Sequence, residues 1–286
     1  MTNVNNANDM TTRLTNNLLI LCLTLAFSFP AFAQKKIVIL HTNDTHSRIE
    51  PLPETDRTAP GKGGVVRRAA YIAQMRKDNK NVLLFDAGDF LQGTPYFNLF
   101  KGEVEVEAMN RMKYDAATLG NHEFDYGLGV LEEVVRKARF PIVTSNYDFS
   151  QTGLAGLVKP YVVLKKDGVK IGVIGLGVQP KGLIAAENYK GMKYLDPVKT
   201  ANELAQKLRT EYKCDMVVCI SHLGYTQDLP LAEKTRNIDL IIGGHSHTYM
   251  KEPEIRKNAD GKDVMIYQTN GRGVFTGRID VELEKK

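Results

Sequence analysis

The chain has no tryptophan, three cysteines, no lysine or arginine run beyond pairs, and a single long apolar run. So little cysteine in 286 residues excludes a disulfide-stapled miniature fold. The missing basic stripe, with a net charge of only +5, removes nucleic acid from the expected partners. The apolar run covers 18–29 and is followed by Pro30 and Ala31-Phe32-Ala33, with Arg13 the only positive charge before it. This pattern predicts a cleaved secretory signal peptide over 1–33, with Met10 an alternative start to Met1. The run is short for a membrane span, and no second one follows. The expected address is therefore periplasmic or extracellular, with no membrane attachment after cleavage. Cys22 leaves with the signal; Cys214 and Cys219, five apart in one apparent strand, would face opposite sides roughly 16 Å apart and could not be bridged.

The remainder is ordinary in composition, 43% hydrophobic and 25% charged, and suits a globular domain. Apolar, β-branched runs at 37–40, 82–85, 142–144, 171–176, 216–220 and 238–242 suit strands buried on both faces. Between them, Val66, Ala69, Ala70 and Ala73, then Leu131, Val134, Val135 and Ala138, then Ala201, Leu204, Ala205 and Leu208 recur at helical spacing. The alternation predicts an α/β domain. Lys166-Asp167-Gly168 between two apolar runs is a hairpin signal, so the sheet is expected to be mixed. Residues 51–64 read as a surface loop, 264–268 and 274–283 as closing strands, and Met109 and Met112 as core. No linker divides residues 34–286.

Five polar clusters each follow an apolar run directly: Asp44 and His46; Asp86 and Asp89; Asn121, His122, Glu123 and Asp125; His222; and His245 with His247. In α/β sheets, sites form beyond the carboxyl ends of strands. Residues i and i+2 of an extended chain point the same way, so Asp44/His46 and His245/His247 could each grip one ion. Glycines beside Asp89, Asn121 and His245 allow sharp turns and close approach. Carboxylate, imidazole and one amide, without thiolate, suit Zn, Mn, Fe or Co. The ligands outnumber what one four-coordinate ion needs, and Asp89 could bridge two ions that together activate water and neutralise a phosphoryl group. His41 has no partner at ligand spacing and reads as structural; Glu123 and Asp86 read as supports for the ligands.

These motifs resemble the calcineurin-like metallophosphoesterases. HTNDTHSR, DAGDFLQGT, LGNHEFDYG and GGHSHT are similar to the N-terminal catalytic domain of the 5'-nucleotidase branch, and the similarity runs from about residue 36 to about 284. The resemblance implies a four-layer fold of two mixed β-sheets packed together and flanked by helices. It implies two divalent metal ions, one held by Asp44, His46 and His247, the other by Asn121, His222 and His245, with Asp89 bridging. It places His122 toward the phosphate, with Asp125 orienting it. The family's usual C-terminal substrate domain has no counterpart before Lys286. The expectation is that it is absent and that a separate subunit supplies base recognition.

The expected reaction is hydrolysis of a nucleotide phosphate ester, with His122 stabilising the transition state and protonating the leaving group. Alternatives with the same chemistry are a 2',3'-cyclic nucleotide phosphodiesterase, a nucleotide-sugar pyrophosphatase, a generic phosphomonoesterase or a thiosulfohydrolase. A non-catalytic metal-stabilised subunit is the alternative of a different class, and it predicts a lost ligand or a lost His122–Asp125 pair. Both are present in the sequence.

Overall fold

Twelve strands and six helices alternate along the described residues: β1 (Lys35–Thr42), α1 (Val65–Asp78), β2 (Val82–Asp86), α2 (Pro95–Phe100), α3 (Glu103–Met112), β3 (Ala116–Ala117), α4 (Gly127–Lys137), β4 (Tyr147–Asp148), β5 (Tyr161–Lys166), β6 (Val169–Leu176), β7 (Lys193–Tyr194), α5 (Pro197–Thr210), β8 (Met216–Ser221), α6 (Tyr225–Lys234), β9 (Leu240–Gly243), β10 (Glu254–Lys257), β11 (Asp263–Tyr267) and β12 (Gly277–Leu283). The structure is a computed structural model and describes residues 34–283. The signal-peptide expectation for 1–33 lies outside them. Among the described residues, no helix is long and apolar enough to cross a membrane.

The strands form a four-stranded sheet, β12-β1-β2-β3, a six-stranded sheet, β10-β11-β9-β8-β6-β5, and a small pair, β4-β7. β1, β2 and β3 run parallel. So do β6, β8, β9 and β11, while β5 and β10 join antiparallel at the edges. Both large sheets bury two faces. Leu40, Leu84 and Ala117 pack against Ile72, Met109, Met112, Leu131 and Val134 of α1, α3 and α4. Ile174, Val217, Cys219 and Ile241 pack against Ala201, Ala205, Leu208 and Leu231 of α5 and α6. The alternate residues Ile39, Leu83, Phe85, Val218, Ile220 and Ile242 are buried too. They lie on the opposite faces, where His41 of β1 meets Tyr267 of β11 at 6.1 Å between ring centroids. The result is the expected order of helix, sheet, sheet, helix.

Several local expectations change. α1 buries Arg68 and Ile72, while Val66 is 78% exposed, so the stripe is rotated from the one through Val66, Ala70 and Ala73. The run at 142–144 makes only isolated bridges, to Ala117 and Lys159. Cys214 precedes β8 rather than lying in it; both cysteines are free and buried. The 51–64 loop is pinned by buried Leu52 and by Arg272, whose guanidinium donates to Asp56 Oδ2 at 2.7 Å. The hairpin between β5 and β6 turns on Asp167 (φ 50°) and Gly168 (φ 76°), the left-handed pair that a two-residue turn requires.

Candidate metal centre

Every polar cluster picked from the sequence lies at the carboxyl end of a parallel strand: Asp44 and His46 after β1, Asp89 after β2, Asn121 and His122 after β3, His222 after β8, His245 and His247 after β9. Backbone bonds fasten these ends together. Asp44 N donates to Gly88 O and His46 N to Asp89 O, both at 2.9 Å, and His122 N donates to the Asp89 carboxylate at 2.9 Å. His245 N donates to both Asp44 oxygens at 3.0 and 3.1 Å.

The side chains converge in three overlapping groups, Asp44/His46/His247, Asp89/His222/His245 and His46/Asp89/His122, whose donor atoms lie within 4.8 Å of one another. His222 Nε2 is 3.1 Å from Asp89 Oδ2, His247 Nε2 is 3.3 Å from Asp44 Oδ1, and the Nε2 atoms of His46 and His247 are 3.0 Å apart. The members at i and i+2 separate in one case: His245 joins Asp89 and His222, while His247 joins Asp44 and His46. Extended backbone is not the reason the clusters form. Asp44, His46, Asp89, His245 and His247 all have positive φ, between 46° and 69°. Such conformations cost about 1–3 kcal/mol each in non-glycine residues and persist where the surroundings over-determine them, commonly at functional sites.

The donor set fits a metal. Asn121 Oδ1, in the midst of these groups, is a buried polar atom without a hydrogen-bond partner. Beside carboxylate and imidazole donors, such an atom suits a cation. His222 Nδ1 donates to Ala87 O at 2.6 Å, which fixes the ring with Nε2 directed at Asp89. Close packing needs glycine here: a Cβ on Gly120 would lie 2.2 Å from Asp89 Oδ1 and 2.6 Å from His222 Nε2.

The charges of these side chains are adjusted to one another. Burial lowers the His222 imidazole, but the Asp89 and Asp44 carboxylates outweigh it and raise it to about 10. Burial opposes ionisation of Asp89, yet the neighbouring imidazoles, His222 first, hold its carboxyl well below the usual range. Burial lowers His46 and His245, while the hydrogen bond to Asp44 raises His247. A divalent ion held by these residues would displace those protons.

Beside it, His122 Nδ1 lies 3.0 Å from Asp125 Oδ2, and the two side chains are a third exposed. The hydrogen bond to Asp125, against the effect of burial, raises His122 to about 9. The two supports sit as expected. Glu123 accepts from Asp89 N at 2.9 Å, Gly120 N at 2.6 Å and Leu91 N at 3.0 Å. Asp86 accepts from Thr42 Oγ1 at 2.5 Å and Gly88 N at 2.9 Å, with burial pushing it up to about 7. His41 is buried between the sheets, and burial lowers it to about 4, so it is a neutral core residue. Sequence reasoning missed Asn43, which donates to Asp44 Oδ2 at 2.5 Å and accepts from Thr269 N at 2.9 Å, and also Gln268. Their only signal was position: Asn43 stands next to Asp44, and Gln268 follows β11 directly.

The family profile of calcineurin-like phosphoesterases matches residues 37–249. The chain is 32% identical over 271 residues to snake venom 5'-nucleotidase of Naja atra, covering 88% of this chain and 51% of that protein. It is 31% identical over 282 residues to 5'-nucleotidase of Homo sapiens, covering 91% and 49%. The structure of a 5'-nucleotidase precursor from Thermus thermophilus superposes with a TM-score of 0.81 at 35% identity, over 86% of this chain and 51% of that one. The chain thus spans about half the length of the relatives it matches. Since the matched span holds all five strand-end clusters, the chain belongs to the calcineurin-like phosphoesterase family, with homology to the N-terminal domain of 5'-nucleotidases.

Proposed function

We propose that this protein is a metal-dependent phosphoester hydrolase acting on nucleotides as a 5'-nucleotidase does. The observation that carries the reading is the convergence of carboxylates and imidazoles from five strand ends into overlapping donor groups beside the His122–Asp125 pair. The names of its relatives support the nucleotide part. Asp44, His46 and His247 would hold one divalent ion of the Zn, Mn, Fe or Co class, and Asn121, His222 and His245 a second. Asp89, which groups with His46 as well as with His222 and His245, would serve both. Two such ions, when bound, supply a water of lowered pKa and neutralise phosphoryl charge.

The chain's own residues do the rest. Asp125 accepts from His122 Nδ1 and fixes the ring, which leaves Nε2 free to donate to a phosphoryl oxygen or the departing ester oxygen. Asn121 lies one residue away and lends its amide to the same substrate face. Glu123 binds the backbone N–H groups of Asp89, Gly120 and Leu91, so the β2 and β3 ends cannot drift apart. The apolar run and Ala31-Phe32-Ala33 support export to the periplasm or extracellular space. A separate polypeptide that completes base recognition is part of the proposal, and it would show as nucleotide selectivity gained when that polypeptide is added.

The test is phosphate release from nucleoside monophosphates, cyclic nucleotides, nucleotide sugars and a simple aryl phosphate by the metal-loaded protein. Preference for nucleoside 5'-monophosphates supports the nucleotidase reading. Hydrolysis of the aryl phosphate alone leaves a generic phosphomonoesterase or an enzyme without its specificity subunit, the absence of nucleotide selectivity on adding such a polypeptide contradicts the nucleotidase reading, and no hydrolysis of any ester overturns the enzymatic reading.

A further inference from the structure

Two of the ligand-type histidines sit in an improbable piece of backbone. His245 and His247 have φ values of 69° and 50°, one residue apart, in a loop that begins at Gly244 and ends at Thr248. Left-handed conformations at non-glycine residues are unfavourable and need an external template. A single side chain from another strand end spans this loop. Gln268 lies one residue beyond β11 and is 1% exposed. Its Nε2 donates to Gly244 O at 2.9 Å. Its Oε1 accepts from Ser246 Oγ at 3.1 Å and from Thr248 N. These three contacts alternate with the two histidines: one before His245, one between the pair, one after His247.

The residues after Gln268 extend the brace to the other ligand loop. Thr269 N and Oγ1 donate to Asn43 Oδ1 at 2.9 and 2.7 Å, and Asn43 Nδ2 donates to Asn270 O and to Asp44 Oδ2, both at 2.5 Å. Gly271 packs so closely on His247 that a Cβ there would lie 3.0 Å from Nδ1. Arg272 N donates to Asp44 O at 2.6 Å. Thus Gln268–Arg272 touches both the Asp44 loop and the His245–His247 loop while supplying no ligand-type side chain to the donor groups.

We propose that Gln268 is a positioning residue: it templates the strained loop so that the His245 and His247 rings meet their carboxylate partners, and the following residues fix that loop against Asp44. The proposal rests on reading His245 and His247 as metal ligands. Sequence reasoning passes over Gln268 because a glutamine after an apolar strand carries no motif, and its backbone partners are 20 or more residues away.

The test is cobalt(II) titration of the chelator-treated full chain, followed by visible absorption, with far-UV circular dichroism as the check on folding. Gln268→Met keeps length and apolar volume but removes all three hydrogen bonds. The expected result is a folded protein whose cobalt affinity falls on the order of 10- to 100-fold, the usual cost of losing a partner that orients a ligand, and whose saturated spectrum differs from wild type. Wild-type affinity and spectrum, with only a lowered melting temperature, would mean that Gln268 serves the fold alone and would overturn the proposal. If Gln268→Met does not fold, Ser246→Ala removes one contact of the brace; it is expected to weaken cobalt binding several-fold, and unchanged binding overturns the proposal. A wild-type protein that binds no cobalt defeats the metal-ligand reading instead, and the proposal with it.

Discussion

The Nε2 atoms of His46 and His247 lie 3.0 Å apart although 201 residues separate the two side chains in sequence. At that distance the pair can hold one proton between them, and burial keeps His46 the weaker base while Asp44 raises His247. A cation held by His46, His247 and Asp44 would take the place of that proton. Metal removal should therefore cost stability. At a free metal concentration 100 times the dissociation constant, binding stabilises the folded state by about 2.7 kcal/mol. For a domain of this size that is about 5–10 °C in melting temperature. Calorimetric scans with zinc or manganese, and again with chelator, check it; coincident curves would mean that the nest binds no ion.

Asp89 groups with His46 on one side and with His222 and His245 on the other, so Asp89→Ala should remove both ions rather than one. Gly120→Ala should do the same without touching a ligand, because its Cβ would fall 2.2 Å from Asp89 Oδ1. Elemental analysis of the purified variants reads the metal content, and full occupancy in either would refute the shared role of Asp89.

His122→Ala should retain metal and lose about 10²–10⁴ in kcat, the ordinary contribution of a positioned acid. The split between metal content and turnover is the informative result. Unchanged turnover removes His122 from the mechanism, and lost metal makes it a ligand.

The charge on His122 is checked directly by its ring-proton titration in the metal-free protein. The wild-type midpoint should lie near 9, raised above the ordinary histidine value chiefly by Asp125. Asp125→Asn should move it down toward about 6.5, the value of an unperturbed histidine. Because the folded midpoint exceeds the unfolded one, the pair's contribution to stability is full below about 6.5 and disappears as pH rises through about 9. That contribution is small for side chains a third exposed to solvent. A midpoint that does not respond to Asp125→Asn would contradict the orienting role.

The parts of this protein that were legible in the sequence are those in which side-chain chemistry repeats along the chain. Doubly buried β-branched runs marked β2, β6, β8 and β9, and Asp167-Gly168 marked the hairpin. The convergence of the candidate site was legible because carboxylate and imidazole clusters stood immediately after the apolar runs of β1, β2, β3, β8 and β9. What was not legible depends on partners distant in sequence. α1 turns Arg68 inward, where its Nη2 reaches Arg48 O, and leaves Val66 in water, reversing the naive stripe. The left-handed backbone at Asp44, His46, His245 and His247 cannot be read from residue type, since glycine stands at none of these positions. Gln268 and Asn43 act through backbone and carboxylate atoms on other strand ends, a role that neither spacing nor composition encodes.

The most direct test of the two-ion hydrolase is phosphate release from a nucleoside 5'-monophosphate, followed as metal is added back to the chelator-treated protein. Turnover should rise to a plateau at two equivalents of metal per chain and vanish again with chelator. Turnover that persists in chelator, or that is complete at one equivalent, would contradict it.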